Sequence, residues 1–434
     1  MIGSNRPSFL DISALRYGLG KVDMTTHSII KRDEAPAFTP ELHASRPREP
    51  LDTPAWSTLF SHYLGAPMMP GHSIERLRNG RDIFPDMLEA IASATRSIEL
   101  ISFIFWRGRI AESFCDALIE RADAGVQVRV MLDAVGSRWF GNKLLTRLED
   151  SAVELRMFSP VPNWKIWRMG SRNHRKILVI DSKLAYTGGV GIADEWDGDA
   201  DRPDRFRETH FRITGTAVGL MKSAFFANWA GIGGRLPEPL ESLPIIQPDP
   251  AGAPAAVIPS SAAEQWSKTA LLFRLLIRSS AESLTLVTPY FVPGRLLAGD
   301  IANAARRGVR VRLYVSGRRS DHLIPRWAGR RYYADLLAVG VEILEYDLTL
   351  MHSKLVIVDD RIVCFGSPNL NQRSQYQDEE IAVVCQDESL VRTLQGDLDD
   401  DRKHCSLIDP GTWATRPLWQ KLLESSASLV EAQS

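Results

Sequence analysis

The sequence predicts an α/β fold of two homologous lobes with mainly parallel sheets, packed face to face around one shared active site. Three observations lead there: a strand–helix–glycine–strand unit that occurs twice, an eight-residue word that occurs once in each half, and a proline-rich stretch between the halves.

Residues 1–68 are rich in Pro, Ser, His and Arg with little sustained periodicity, so they read as an N-terminal extension. The first lobe covers residues 69–235. Within it Phe84, Met87, Leu88 and Ile91 recur at helical spacing, and residues 97–106, with Ile98, Leu100, Ile101 and Phe103, read as a strand. A second helix is expected over 110–124; Gly125 stands where a left-handed cap belongs, and the strand-like run 126–132 follows. Residues 236–263 hold Pro237, Pro239, Pro244, Pro248, Pro250, Pro254 and Pro259, a density that argues against helix and central strand alike and marks a linker. The second lobe, residues 264–434 including a C-terminal tail, repeats the pattern: helix 266–280, strand 284–290, helix 296–307, Gly308 as cap, strand 309–315. Two βαβ units imply mainly parallel sheets covered by helices.

The chain has 434 residues, 44% of them apolar and 24% charged, which excludes a disordered protein and suffices for two domains. Fifty-two basic side chains against 53 acidic ones exclude nucleic-acid binding by bulk charge, so any anion is held by a local cluster. Cys115, Cys364, Cys385 and Cys405 lie far apart, which argues against a disulfide framework or structural zinc and fits a reducing compartment. No apolar run approaches the roughly 18 to 20 residues that span a bilayer. Residues 1–20 lack the basic flank and apolar block of a secretory signal, so a cytosolic or peripheral protein is expected.

The repeated word is HRKILVID at 174–181 and HSKLVIVD at 352–359, both of the form H-x-K-x-x-x-x-D. His and Lys two residues apart at the start of a strand point to one side of the sheet, which places an imidazole and an ammonium on one small surface. Asp181 and Asp359 have the opposite parity and fall at the far end of the strand, where a carboxylate fixes a turn. Past each Asp comes a small-residue turn: Gly188, Gly189, Val190 and Gly191 in the first copy, Gly366, Ser367, Pro368 and Asn369 in the second. Glycines let backbone N–H groups approach an anion, and Ser367 and Asn369 add side-chain donors. His174, His352, Lys176, Lys354, Ser367 and Asn369 thus compose a cationic pocket suited to one tetrahedral phosphate. A zinc site is disfavoured, because a lysine two residues from each histidine repels a cation.

The paired words resemble the phospholipase D superfamily. The segments 188–196 (GGVGIADEW), 206–212 (FRETHFR), 289–293 (PYFVP) and 366–374 (GSPNLNQRS) are similar to those of bacterial cardiolipin synthases of that type, in a shorter branch without amino-terminal membrane helices. The resemblance covers about residues 70–410. It implies two phospholipase D-like lobes and a catalytic set of His174, Lys176, Asp181, His352, Lys354 and Asp359. His174 is then the nucleophile and His352 the acid and later the base, although the residues themselves permit the reverse. Lys176, Lys354, Ser367 and Asn369 would stabilise the equatorial oxygens without metal or cofactor. Gly189 belongs to the phosphate-binding turn, and Glu208 and Glu380 match acidic positions that orient the histidine rings. Gly191 departs from the family, where Asn is common, so the first copy lacks the donor that Asn369 supplies in the second.

The implied reaction converts phosphatidylglycerol to cardiolipin and glycerol; with water as acceptor the product is phosphatidic acid. A nuclease of the same superfamily is the competing enzyme class, and a non-catalytic lipid-binding scaffold is the third. The implied partner is an anionic phospholipid at the membrane surface, with no obligatory nucleic acid or protein partner. The implied location is cytoplasmic and peripheral to the inner face of the cell membrane. Two aromatic and basic stretches, 164–172 and 322–333, read as interfacial.

Overall fold

A computed structural model describes residues 49–159, 170–237, 248–262, 267–417, 419, 420 and 424. The first part of the chain runs α1 (Thr53–Leu64), β1 (Met69–Arg78), α2 (Asn79–Ala92), β2 (Ser97–Ser102), α3 (Arg109–Asp123), β3 (Gln127–Asp133), α4 (Asn142–Glu149), β4 (Glu154–Phe158), β5 (Ile177–Ile180), β6 (Leu184–Gly188), β7 (Thr209–Thr214) and α5 (Ala217–Gly231). The second runs β8 (Ala253–Ser260), α6 (Lys268–Ser279), β9 (Ser283–Thr288), α7 (Gly294–Arg306), β10 (Arg310–Ser316), α8 (Leu323–Arg330), α9 (Tyr333–Leu337), β11 (Glu342–Tyr346), β12 (Leu355–Val358), β13 (Ile362–Gly366), α10 (Gln372–Tyr376), β14 (Glu380–Gln386), α11 (Glu388–Arg402) and β15 (Cys405–Leu407). Gly125 and Gly308 both adopt positive φ directly after α3 and α7, as their positions predict.

The strands form one sheet in the order β15-β11-β10-β9-β12-β13-β14-β8-β1-β7-β6-β5-β2-β3-β4. Parallel pairing is confined to β2–β3–β4 and β9–β10–β11. Every other pair is antiparallel, so the expectation of mainly parallel sheets is corrected. The reason lies just past the repeated word: β5 pairs with β6 from Ile180↔Leu184, and β12 with β13 from Val358↔Ile362. A connection that short makes a hairpin and cannot cross over to a parallel neighbour.

The two lobes meet in two ways. β1 and β8 pair edge to edge, and a shared inner core joins Ile177, Val179, Phe211 and Ile213 to Leu355, Ile357, Phe365 and Val383, with α5 and α11 contributing. Phe211 stacks on Phe365 at 3.7 Å between ring centroids. Separate outer cores lie under α2 and α3 in one lobe and under α6 and α7 in the other.

Two further expectations are corrected. Within the proline-rich stretch, residues 253–260 form β8, near the middle of the sheet. Its partner β14 pairs in register from Ala255 to Ser260, whereas β1 meets it at only two positions around a break in register. On that side few ladder bonds exist for Pro254 or Pro259 to remove. Residues 53–64, expected in the extension, form α1, capped by Asp52 and closed by Gly65 at φ 64. Its Trp56, Phe60 and Leu64 join the outer core of the second lobe beside Leu272, Phe273 and Leu276.

Candidate active site

Each repeated word is stitched to the opposite lobe before its strand begins. Asn173 bridges to Glu379 and Met351 to Arg207. The His174 N–H donates to the Glu379 carbonyl at 3.0 Å, and the His352 N–H to the Arg207 carbonyl at 2.7 Å. The next residue in each bridging segment is a glutamate, and this places Glu380 and Glu208 against the histidine of the other lobe.

His352 Nδ1 lies 2.7 Å from Glu208 Oε2, and His174 Nδ1 lies 3.0 Å and 3.2 Å from the two Glu380 oxygens. Both glutamates are fully buried. Burial alone would raise them, but the contacts to His352 and to His174 outweigh it and hold both carboxyls below the usual range. An ionised carboxylate only accepts, so each Nδ1 carries the hydrogen and each Nε2 is left with the lone pair. The contacts of Glu208 and Glu380 are crossed: each carboxylate lies against the histidine ring of the other lobe.

The lysines complete the cluster. Lys176 Nζ donates to the His174 carbonyl at 2.8 Å and Lys354 Nζ to the His352 carbonyl at 2.6 Å. Burial lowers Lys176 to about 7 and Lys354 to about 8. Burial, reinforced by Lys354, lowers His352 to about 4, and burial also lowers His174. Burial thus disfavours the charged form of all four basic groups. A bound anion reverses this, because a negative charge nearby favours every cationic form.

The turn residues divide differently from expectation. The Ser367 hydroxyl is engaged within the protein: it donates to Glu380 and accepts the Ile381 N–H at 3.0 Å. Gly189 is required by Glu208, whose Oε2 would lie 2.4 Å from a Cβ at that position. Asn369 is 4% exposed, and its Oδ1 has no hydrogen-bond partner among the described residues. Where the first copy has Gly191, Trp196 fills the space: a Cβ at residue 191 would sit 2.9 Å from its ring. Trp196 also packs edge-on to His352 at 5.1 Å and donates Nε1–H to Glu208 at 3.3 Å.

Asp181 and Asp359 lie away from the imidazoles. Asp181 accepts the backbone N–H groups of Thr95, Arg96 and Ser97, and Asp359 those of Ala281, Glu282 and Ser283, each gathering the loop that opens β2 or β9. Both sit at φ near 50° at the hairpin turn. Strand parity places them there, and their carboxylates are engaged with backbone N–H groups of the loops before β2 and β9.

A cavity of about 670 Å³ opens onto one of the two motif histidines. Phe103, His174, Tyr290, Asp321 and Asn369 line it, and Leu323 and Ile324, both more than half exposed, stand in its wall. The His174 side chain is 13% exposed and that of His352 7%, and only His174 lines the cavity. The stretch 322–333 is less interfacial than its composition suggests, since Arg326 and Arg330 turn inward to Glu345 at 3.1 Å and 3.6 Å and Tyr333 packs on Trp413. Of 164–172, positions 164–169 lie outside the described residues.

Sequence reasoning missed Phe103 and Trp196. Phe103 packs on His174 at 5.0 Å and under the Lys176 ammonium at 5.3 Å. The signal for Trp196 was its place five residues after the unexpected Gly191, the distance that separates Asn369 from Ser374.

A family model described as "Cardiolipin synthase, PLD-like domain" matches residues 87–195 and 273–402, one block in each lobe. The chain belongs to the phospholipase D superfamily. It is related to bacterial cardiolipin synthases: it is 32% identical over 376 residues to one from Geobacillus sp. (strain WCH70) and 30% identical over 374 residues to one from Alkalihalophilus pseudofirmus, in each case covering 86% of this chain and 74% of the relative. Among solved structures, a phosphatidylserine synthase from Haemophilus influenzae superposes with a TM-score of 0.65 at 16% identity, over 88% of this chain and 100% of that one. At that identity the likeness is one of fold. Among the described residues of this phospholipase D-superfamily chain, no helix is long and apolar enough to cross a membrane.

Proposed function

We propose that this protein is a metal-independent phosphatidyltransferase that forms cardiolipin from phosphatidylglycerol through a phosphohistidine intermediate, working peripherally at the inner face of the cell membrane. The observation that carries the reading is the pair of imidazoles whose Nδ1 atoms are both committed to buried carboxylates from the opposite lobe. Each ring is thereby left with Nε2 as its working atom.

In the first half-reaction His174 Nε2 attacks the phosphorus of phosphatidylglycerol. The bond from phosphorus to the headgroup oxygen breaks, the oxygen takes a proton from His352, and glycerol leaves. In the second, His352 removes the proton from a headgroup hydroxyl of another phosphatidylglycerol. That oxygen attacks phosphorus, the P–N bond breaks, and cardiolipin forms with His174 restored. Lys176 and Lys354 stabilise the equatorial oxygens. The assignment of His174 as nucleophile is supported by its access to the cavity. His352, more enclosed and edge-packed by Trp196, suits proton transfer, and the bound phosphodiester supplies the negative charge that raises its pKa from about 4. The relatives' printed name, cardiolipin synthase, agrees with this choice of substrate.

The test is incubation of purified protein with phosphatidylglycerol vesicles and EDTA, followed by mass spectrometry of the lipids. Cardiolipin with released glycerol is expected. Phosphatidic acid alone would make the protein a hydrolase, and unchanged lipid with cleaved single-stranded DNA would make it a nuclease.

A further inference from the structure

The cavity is larger than a phosphate needs, and its wall carries two acceptors, Asp321 and Asn369, beside Arg172 and Arg373. Tyr290 donates its hydroxyl to Asp321 Oδ1 at 2.7 Å. Asp321 Oδ2 lies 3.6 Å from His322 Nε2, beyond hydrogen-bond reach, and the carboxylate is 34% exposed. Asp321 is near enough to Lys354 to act on its charge. On the same cavity stands Asn369, buried, with Oδ1 lacking any donor among the described residues. A ligand that satisfies these acceptors must bring hydrogen-bond donors, because a buried acceptor left unpaired is unfavourable. A phosphate brings none at neutral pH, and Asp321 repels it.

Resting on the phosphatidyltransferase reading, we infer that Asp321, held by Tyr290, and Asn369 form an acceptor subsite that selects alcohols with a second hydroxyl next to the one that reacts. The reacting hydroxyl meets the phosphorus at His174, and its neighbour donates to Asp321 Oδ2 or Asn369 Oδ1. A polyol fits this wall better than an amino alcohol. The neighbouring carboxylate, Asp378, is already paired with Arg373 at 2.6 Å, and Arg172 lines the same cavity, so an ammonium meets two guanidinium groups and one open carboxylate.

The test gives the full-length protein phosphatidylglycerol vesicles together with equal concentrations of 1-propanol and 1,2-propanediol, and measures both phosphatidyl-alcohol products by mass spectrometry. Wild type is expected to favour the diol by about tenfold or more, since a site built to bond a hydroxyl rejects the analogue lacking it. Asp321→Ala is expected to bring the product ratio close to one, and Tyr290→Phe, which loosens Asp321, to lower it partway. Because the readout is a ratio within one reaction, a general loss of activity or of folded protein leaves it unmoved. Equal use of the two alcohols by wild type, or an unchanged preference in Asp321→Ala, would overturn the subsite. Transfer to neither alcohol, with phosphatidic acid as the only product, would overturn the transferase reading and the subsite with it.

Discussion

In the first lobe the turn after the motif strand reads Gly188, Gly189, Val190, Gly191; in the second it reads Gly366, Ser367, Pro368, Asn369. Each turn supports a glutamate by different means. Gly189 simply makes room for Glu208, which then takes its hydrogen bonds from Trp196 and from the Thr209 N–H at 2.9 Å. Ser367 supports Glu380 directly with its hydroxyl. Two positions further on, Gly191 yields its space to Trp196, whereas Asn369 keeps a polar side chain on the cavity. Duplication has thus given two imidazoles the same tautomer, and divergence around them has given one a cavity and the other an aromatic wall. A shared ancestor fold is compatible with a division of labour once the shell around each histidine differs.

The sharpest way to break the comparison is to remove each histidine. His174→Ala and His352→Ala are each expected to lower turnover of phosphatidylglycerol by about 10⁴-fold or more, because residues acting as one unit are lost together. The lobes separate when the leaving group no longer needs a proton: with a phosphatidyl p-nitrophenol donor, His352→Ala should release a stoichiometric burst of nitrophenol and His174→Ala none. Equal bursts would erase the division.

Next in size are the crossed carboxylates. Glu208→Gln and Glu380→Gln are each expected to lower kcat by about 10²- to 10⁴-fold, since a neutral amide permits the wrong tautomer. If pairing is crossed, the nitrophenol donor rescues Glu208→Gln, which impairs His352, but not Glu380→Gln, which impairs His174. Rescue of the opposite variant would show uncrossed roles.

The turns themselves should respond unequally. Gly189→Ser, which copies the second lobe into the first, places a Cβ 2.4 Å from Glu208 Oε2 and should abolish most activity. Ser367→Gly, the reverse copy, removes one hydrogen bond to a charged group, and a loss of about 10- to 100-fold is expected. Retention of near-wild-type steady-state kcat in both variants would mean that the turns are interchangeable.

The pH profile of kcat/KM gives a smaller effect. His352, the acid, is lowered to about 4 in the free protein, so kcat/KM declines above that pH, and it falls more steeply through about 7 to 8, because Lys176 at about 7 and Lys354 at about 8 bind phosphate only when protonated. His174 attacks when neutral, and its lowered pKa keeps any acid limb below about 6.5. Lys176→Met should lower kcat/KM and remove the limb near 7; a limb that stays in place would assign it to another group. Smallest for activity are Asp181→Asn and Asp359→Asn, for which the expected loss is in stability, about 1–3 kcal/mol by denaturant unfolding.

Much of this was legible in the sequence because it rests on spacing. The two words, the helix caps at Gly125 and Gly308 and the parity that separates Asp181 and Asp359 from the histidines all follow from local periodicity. What was not legible depends on chain-distant pairing. The hairpin after Ile180 made the sheet mostly antiparallel, an irregular β1 edge admitted a strand with Pro254 and Pro259, and α1 found its core in the far lobe. The crossing of Glu208 and Glu380 belongs to the same class, since position within one half carries no information about which half a side chain reaches. Ser367 shows a second limit: its residue type permits a phosphate donor, and only the position of Glu380 decides that the hydroxyl is already engaged.

The central claim, one nucleophile and one proton carrier drawn from equivalent positions, is tested most directly by trapping the intermediate. His352→Ala protein is mixed with phosphatidyl p-nitrophenol, quenched in alkali-stable conditions, digested and mapped by mass spectrometry. The account predicts a phosphatidyl adduct on the peptide containing His174. An adduct on any other residue, or none despite nitrophenol release, would contradict it.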